Sequence, residues 1–179
     1  MRWLRANAKT YRIDPDHIGA WGASAGGHLS ALLGTSGGVK ELEGEGNPDY
    51  SSRVQAVCDF FGPADFLAWF KTNPNRVSNA DAPESKLMGG PLRDHLEKAK
   101  LASPITHIDK DDPPFLIVHG DKDMVVPVSQ SQRFHTALQQ AKVDSTLMIV
   151  NGAGHGGAGM QTPAISAAVV AFFQKHLMP

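Results

Sequence analysis

The pentapeptide from Gly22 to Gly26, Gly-Ala-Ser-Ala-Gly, constrains the fold of this chain more than any other segment. It fits the pattern G-x-S-x-G, with a short apolar run before it (Ile18 to Trp21) and a helix-like segment after it (Gly26 to Gly34). A serine in a sharp strand-to-helix turn has a strained backbone, and small neighbours let such a turn close. Glycine or alanine occupies all four flanking positions. The pentapeptide therefore predicts a tight turn that holds Ser24 at the end of a strand.

Four short apolar runs, each bounded by turn residues, predict strands that are covered on both faces of a parallel sheet. They are Ile18 to Trp21, Val54 to Phe61, Phe115 to His119 and Thr146 to Val150. The segments between them have helical periodicity, most clearly the last helix, Ala164 to Leu177. Ser129 and Gln132 form a capping-box pattern at the start of another helix. This alternation predicts an α/β fold with a parallel sheet and right-handed crossovers.

The composition argues against several classes of protein. A chain of 179 residues, 41% hydrophobic and 20% charged, is typical of one soluble globular domain, residues 1–179. The 17 basic and 18 acidic residues form no basic stripe, so we expect no nucleic-acid partner. No apolar run approaches the roughly 20 residues that span a bilayer. Basic residues interrupt the N-terminus, which therefore does not resemble a signal peptide. As the chain stands, we expect a cytoplasmic protein.

One long segment, 62–114, departs from the alternation of strands and helices. It is rich in Pro, Asn and Asp, and its aromatic residues Phe66, Trp69 and Phe70 lack a clean core pattern. A connection of this length inside a compact domain is usually functional or partly helical. We expect a lid over a site, a substrate-contacting excursion or a decorated crossover. The three aromatic residues fit an acyl or aromatic pocket and core packing equally well.

Ser24 is followed along the chain by the other residue types that serine chemistry needs. A serine hydroxyl is a poor nucleophile without an adjacent base. An imidazole is suited to that role, and a carboxylate on its far nitrogen fixes the productive tautomer. Asp121 and Asp123 follow the third predicted strand. His155 follows the fourth in a glycine-rich loop, where packing explains a histidine poorly. His155 is therefore the candidate base, and either aspartate is a candidate for its partner.

The remaining histidines fit structural roles. His119 ends a buried strand, and His28 lies one turn into the helix after Ser24, where packing or hydrogen bonding explains it. Five further histidines have no partner motif: His17, His95, His107, His135 and His176. No pair of histidines has metal-ligand spacing, so the sequence predicts no metal, and we expect no cofactor.

Three motifs together resemble the α/β-hydrolase superfamily: Gly-Ala-Ser-Ala-Gly-Gly-His at the turn, His-Gly-Asp-Lys-Asp followed by Val-Pro, and Gly-Ala-Gly-His-Gly. They are most similar to the esterase/lipase branch that includes acetyl-xylan and feruloyl-type esterases, and are also similar to prolyl-oligopeptidase-like hydrolases. The resemblance implies Ser24 as nucleophile, Asp123 as the triad acid and His155 as general base. It leaves Asp121 to order the turn, and implies the backbone N–H of Ala25 as one oxyanion donor.

The beginning of the chain departs from the family pattern. A complete α/β-hydrolase sheet has several strands before this serine, and a His-Gly-Gly segment among them supplies the second oxyanion donor. Only 23 residues precede Ser24, so the chain resembles an N-terminally truncated fold of about four strands whose cellular location is then open. The strand Ile18 to Trp21 becomes a sheet edge, and we expect a homo-oligomer, a dimer, to cover it.

The main hypothesis is a serine carboxylic-ester hydrolase that acts on a small-molecule ester with a short acyl group through an acyl-enzyme. One alternative is a prolyl-oligopeptidase-like peptidase, or a lactone or thioester hydrolase with the same triad. A second alternative is an inactive or weakly active truncated hydrolase that serves as a binding or assembly module.

Overall fold

The computed structural model describes residues 1–77 and 79–178. Its four strands form one parallel sheet in chain order: β1 (Gly19–Ala23), β2 (Ala56–Phe60), β3 (Phe115–Gly120) and β4 (Ser145–Val150). The four predicted strands are present, and their ends differ from the predicted ones by at most two residues. The prediction of an α/β fold with about four parallel strands is confirmed.

Helices cover both faces of this sheet. They are α1 (Arg2–Ala6), α2 (Ala8–Tyr11), α3 (Ala25–Thr35), α4 (Lys40–Glu43), α5 (Phe66–Thr72), α6 (Pro74–Val77), α7 (Pro83–Met88), α8 (Leu96–Leu101), α9 (Ser129–Gln140) and α10 (Pro163–Leu177), with 3₁₀ turns at Leu92–Asp94, Pro104–Thr106 and Ala158–Met160. Neighbouring residues of a strand point to opposite faces. Val57 therefore packs in a cluster with residues of α3 and α9, whereas Cys58 packs in a cluster with residues of α10.

The two helices on which the sequence analysis relied begin differently. The last helix starts at Pro163, and the Thr162 side chain caps it by accepting a hydrogen bond from the Ile165 N–H. The predicted capping box at Ser129 is wrong, because the chain is already helical at Val128, which is the N-cap and makes no side-chain capping bond. Ser129 consequently lies inside α9, where its hydroxyl is not in a capping position.

The segment 62–114 is largely helical and has a core of its own. Phe66 and Trp69 of α5 are almost fully buried, and they pack with Met88, Leu92 and Val126. Trp69 and Phe66 therefore both belong to this core. Of the two explanations offered by the sequence, core packing holds for Trp69 and a pocket does not. Whether the segment works as a lid stays a prediction.

Strand β1 lies at one edge of the sheet. Within the described residues it pairs only with β2. The Trp21 side chain projects from β1 and is 60% exposed, although its ring lies 5.8 Å from Phe60 and 6.4 Å from Phe173 between centroids. Among residues 1–77 and 79–178, no helix has the length and apolar character needed to cross a membrane.

Candidate active site

Ser24 occupies the strained turn between β1 and α3 that the sequence predicts. Its backbone angles are φ 55° and ψ −119°, outside the regions that a residue with a side chain normally adopts. The Ser24 N–H donates to the Phe60 carbonyl oxygen at the end of the adjacent strand, at 2.8 Å. This bond ties the turn to β2 and leaves the serine at the carboxyl end of the sheet.

Gly22 is the neighbour on which closure of the turn depends. A Cβ atom built at Gly22 would lie 2.1 Å from the Gly26 carbonyl oxygen, which is far inside van der Waals contact. A Cβ built at Gly26 meets no described atom within 4 Å outside its own chain neighbours and helix turn. Of the two flanking glycines, Gly22 is therefore the one whose lack of a Cβ the turn requires, whereas a Cβ at Gly26 has room.

The structure brings Ser24, His155 and Asp123 into one hydrogen-bonded line. His155 Nε2 lies 2.8 Å from Ser24 Oγ, and His155 Nδ1 lies 2.7 Å from Asp123 Oδ2. Asp121 lies elsewhere, since its Oδ1 accepts a hydrogen bond from the Gly152 N–H. The three residues follow β1, β4 and β3, whose carboxyl ends meet at one edge of the parallel sheet.

Asp123 is held as a fully buried carboxylate with a donor for every acceptor position. Its Oδ1 accepts from the backbone N–H groups of Val125 and Val126, at 2.8 and 2.9 Å. Its Oδ2 faces His155 Nδ1 and also His119 Nε2, the latter at 3.2 Å. These donors fix the orientation of the Asp123 carboxyl group behind His155.

His119 also contacts Asp123, which its position in the sequence did not indicate. Burial lowers the pKa of His119, which favours the neutral ring. Its Nδ1 lies 2.7 Å from the Ser131 hydroxyl and its Nε2 lies 3.0 Å from the Val126 carbonyl oxygen. A proton on Nε2 satisfies the carbonyl and Asp123 together, while Ser131 donates to Nδ1. The expected structural role of His119 agrees with these bonds, but its contact with Asp123 depends on how the loop folds back.

A cavity of about 420 Å³ opens beside Ser24. Most of its lining side chains are apolar: Leu29, Pro63, Phe66, Pro83, Leu87, Val125 and Val126. His28 forms part of the wall, with its Nε2 bonded to the Ala102 carbonyl oxygen at 2.7 Å and its ring edge-on to Phe66. Burial lowers the pKa of His28, so a neutral ring donates this hydrogen bond. The expected packing role of His28 fits this position.

Asp59 lies beneath the serine turn and was also missed. It is 1% exposed, and its Oδ1 accepts a hydrogen bond from the Gly62 N–H at 2.9 Å. A Cβ built at Gly27 would lie 2.3 Å from the same oxygen, so α3 approaches this carboxyl very closely. Burial raises the pKa of Asp59 to about 7. The available signal was a single acidic residue inside the apolar run from Val54 to Phe61.

Comparison with known proteins identifies a family of similar sequence and fold. The BD-FAE family model matches residues 1–138 of the chain. The esterase LipC of Mycobacterium tuberculosis is 33% identical over 155 residues, which are 86% of this chain and 38% of LipC. A truncated form of a carbohydrate esterase from gut microbiota is 38% identical with a TM-score of 0.85, over 97% of this chain and 64% of that chain.

A second solved structure gives the same result. The bifunctional GH43-CE protein of Bacteroides eggerthii is 39% identical with a TM-score of 0.86, over 97% of this chain and 25% of that chain. The present chain therefore spans less than two thirds of the length of these relatives. The family match extends over more than three quarters of the chain and includes Ser24 and Asp123. The chain belongs to the BD-FAE family and has the fold of α/β-hydrolase esterases.

Proposed function

We propose that this chain is a serine carboxylic-ester hydrolase that acts on short acyl esters through an acyl-enzyme. The observation that carries the proposal is the line of hydrogen bonds from Ser24 Oγ through His155 to Asp123. The esterase and carbohydrate-esterase names of the relatives support ester chemistry.

In the proposed mechanism, His155 Nε2 takes the Ser24 proton as Oγ attacks the ester carbonyl carbon. Asp123 keeps the proton of His155 on Nδ1 before the attack and stabilises the imidazolium after it. The imidazolium then gives its Nε2 proton to the leaving alcohol, and an acyl group remains on Ser24. A water molecule that gives its proton to His155 hydrolyses this acyl-enzyme and restores the free serine.

The oxyanion of the tetrahedral intermediate needs its own donors. Ala25 is the first residue of the 11-residue helix α3, so its N–H has no acceptor within the helix and the helix dipole favours negative charge there. We assign one oxyanion donor to this N–H and assign no second donor among the described residues. Loss of one such donor typically costs on the order of 10² to 10³ in rate, so we expect the Ala25 N–H to contribute strongly to turnover.

The cavity beside Ser24 indicates the kind of acyl group. Its volume of about 420 Å³ lies near the lower end of small-molecule sites, and its apolar lining suits a hydrocarbon chain of limited length. The carbohydrate esterase from gut microbiota suggests a sugar hydroxyl as the alcohol. A peptide substrate has no comparable support in the described residues.

A fluorophosphonate probe together with matched substrates tests this proposal. We expect the folded protein to be labelled at Ser24, and to hydrolyse p-nitrophenyl acetate or butyrate faster than p-nitrophenyl palmitate or the corresponding butyryl anilide. The reaction is followed by p-nitrophenol or aniline release and the label by mass spectrometry. Folded protein that takes no label would favour a binding module, and anilide cleavage at the rate of the ester would favour a peptidase.

We further propose that a second copy of the chain covers β1, because an exposed strand edge is a template for strand pairing. A groove of about 510 Å³ adjoins this edge and is lined by Trp21, Phe60, Ile165 and Val169 among others. Light scattering should therefore show a dimer, and Trp21→Lys should shift it towards monomer. A monomeric wild-type protein at micromolar concentration contradicts the proposal.

The cytoplasmic location stays a prediction.

A further inference from the structure

Phe61, the residue directly after β2, has an unusual backbone. Its φ is +44°, in the left-handed region that costs energy for any residue with a bulky side chain. A glycine would adopt this conformation without that cost. Strained backbone persists only where surrounding contacts determine it, and such strain is concentrated at functional sites. Phe61 is 5% exposed, so the contacts of its buried ring are the candidates for what holds this backbone in place.

The Phe61 ring lies against His155. The two ring centroids are 4.6 Å apart with an angle of 62° between the planes, which is an edge-to-face arrangement. A Cβ built at Gly156 would lie 3.8 Å from Phe61 Cζ, so the same ring also reaches the backbone beside His155. The centroid of the ring also lies 6.3 Å from that of the His119 ring. Phe61 therefore neighbours both histidines.

The loop that carries His155 is rich in glycine, and its first part is held by the bond from the Gly152 N–H to Asp121. Gly152, Gly156 and Gly157 near it all have positive φ, and glycines leave the backbone the most conformational freedom. Ser24 and Asp123 hold the two ring nitrogens along one line, which leaves rotation of the imidazole about that line. A ring packed against the imidazole restricts this rotation.

Phe61 also completes a regular arrangement at the end of the sheet. Ser24 follows β1, Phe61 follows β2, Asp123 follows β3 and His155 follows β4. Phe61 is thus the contribution of β2 to this row. We infer that Phe61 is a positioning residue for His155, whose strained backbone directs its ring against the imidazole and keeps Nε2 turned towards Ser24. This inference rests on the proposed hydrolase function.

Fluorophosphonate labelling kinetics of Phe61 variants test the inference, because the labelling rate reports the reactivity of Ser24. Phe61→Leu keeps much of the volume but removes the aromatic ring, and Phe61→Gly relieves the backbone strain as well. We expect both to label about 3- to 10-fold more slowly, as loss of an aromatic contact implies. In ester hydrolysis kcat should fall by the same factor with KM unchanged. Phe61→Tyr should retain the wild-type rate.

Phe134→Leu is the matched control, since Phe134 is a buried ring that packs edge-to-face on Phe115 in the other core cluster. It should label at the wild-type rate. The inference is overturned if folded Phe61→Leu labels like wild type, if Phe61→Gly labels like wild type while Phe61→Leu is slowed, or if Phe134→Leu is slowed as much as Phe61→Leu. Circular dichroism and thermal melting identify folded variants, and Phe61→Gly tests the ring if Phe61→Leu does not fold. Unlabelled wild type instead refutes the hydrolase function itself, and this inference with it.

Discussion

Ser24→Ala is expected to lower the rate of ester hydrolysis by about 10⁵-fold or more, and His155→Ala by a similar factor. The two side chains take part in one proton transfer, so either loss removes the whole step. The Ser24→Ala, His155→Ala double variant should therefore be no slower than the single variants. Both residues are only partly buried, and we expect the fold to survive each change. Initial rates with p-nitrophenyl butyrate measure the effect.

His17→Ala is a suitable control for these variants. His17 is exposed and bonded to Asp14 in the loop before β1, at the opposite end of that strand from Ser24, so its replacement should leave the rate unchanged. If the losses in the double variant were additive, Ser24 and His155 would act independently. If Ser24→Ala retained most of the activity, another nucleophile would be at work.

The second large effect is expected for Gly22→Ala, which should destabilise the fold by about 3 kcal/mol or more and abolish labelling of Ser24. The added Cβ would meet the Gly26 carbonyl at 2.1 Å, and a backbone atom in the first turn of α3 has little room to move away. Either the turn opens and Ser24 leaves His155, or the helix shifts. Urea denaturation measures the loss in the free energy of unfolding.

Gly26→Ala adds the same methyl group four residues later and provides the matched comparison. Its Cβ meets no described atom outside its own helix turn, and alanine is a better helix former than glycine. We expect Gly26→Ala to be neutral or to stabilise the protein by up to about 1 kcal/mol, with labelling retained. Equal losses in the two variants would show that the turn tolerates no side chain on either side of Ser24.

The sequence was sufficient to predict which residues meet, because parallel strands bring their carboxyl ends to one edge of the sheet. The loops that carry Ser24, Asp123 and His155 each follow a strand, so their meeting follows from chain order and topology. The choice of Asp123 over Asp121 came from a family motif, and the structure places only Asp123 beside His155.

The contacts that hold these residues in place were not predictable in the same way. The bond from His119 to Asp123 and the ring of Phe61 against His155 depend on how separate loops pack on each other. No periodicity or motif in the chain reports such contacts. The false capping box at Ser129 has a related cause, since its pattern is met by chance where Val128 has already begun the helix.

The separation of Ser24 and His155 along the chain has a consequence for the time course of folding. The two residues are 131 positions apart, and they follow the two outer strands of the sheet. Their hydrogen bond can form only after β2 and β3 have inserted between β1 and β4, and such long-range parallel pairing is slow. During refolding, reactivity of Ser24 towards the probe should thus appear after helical circular dichroism has recovered. A newly made chain that ends before residue 155 would carry the serine without its base.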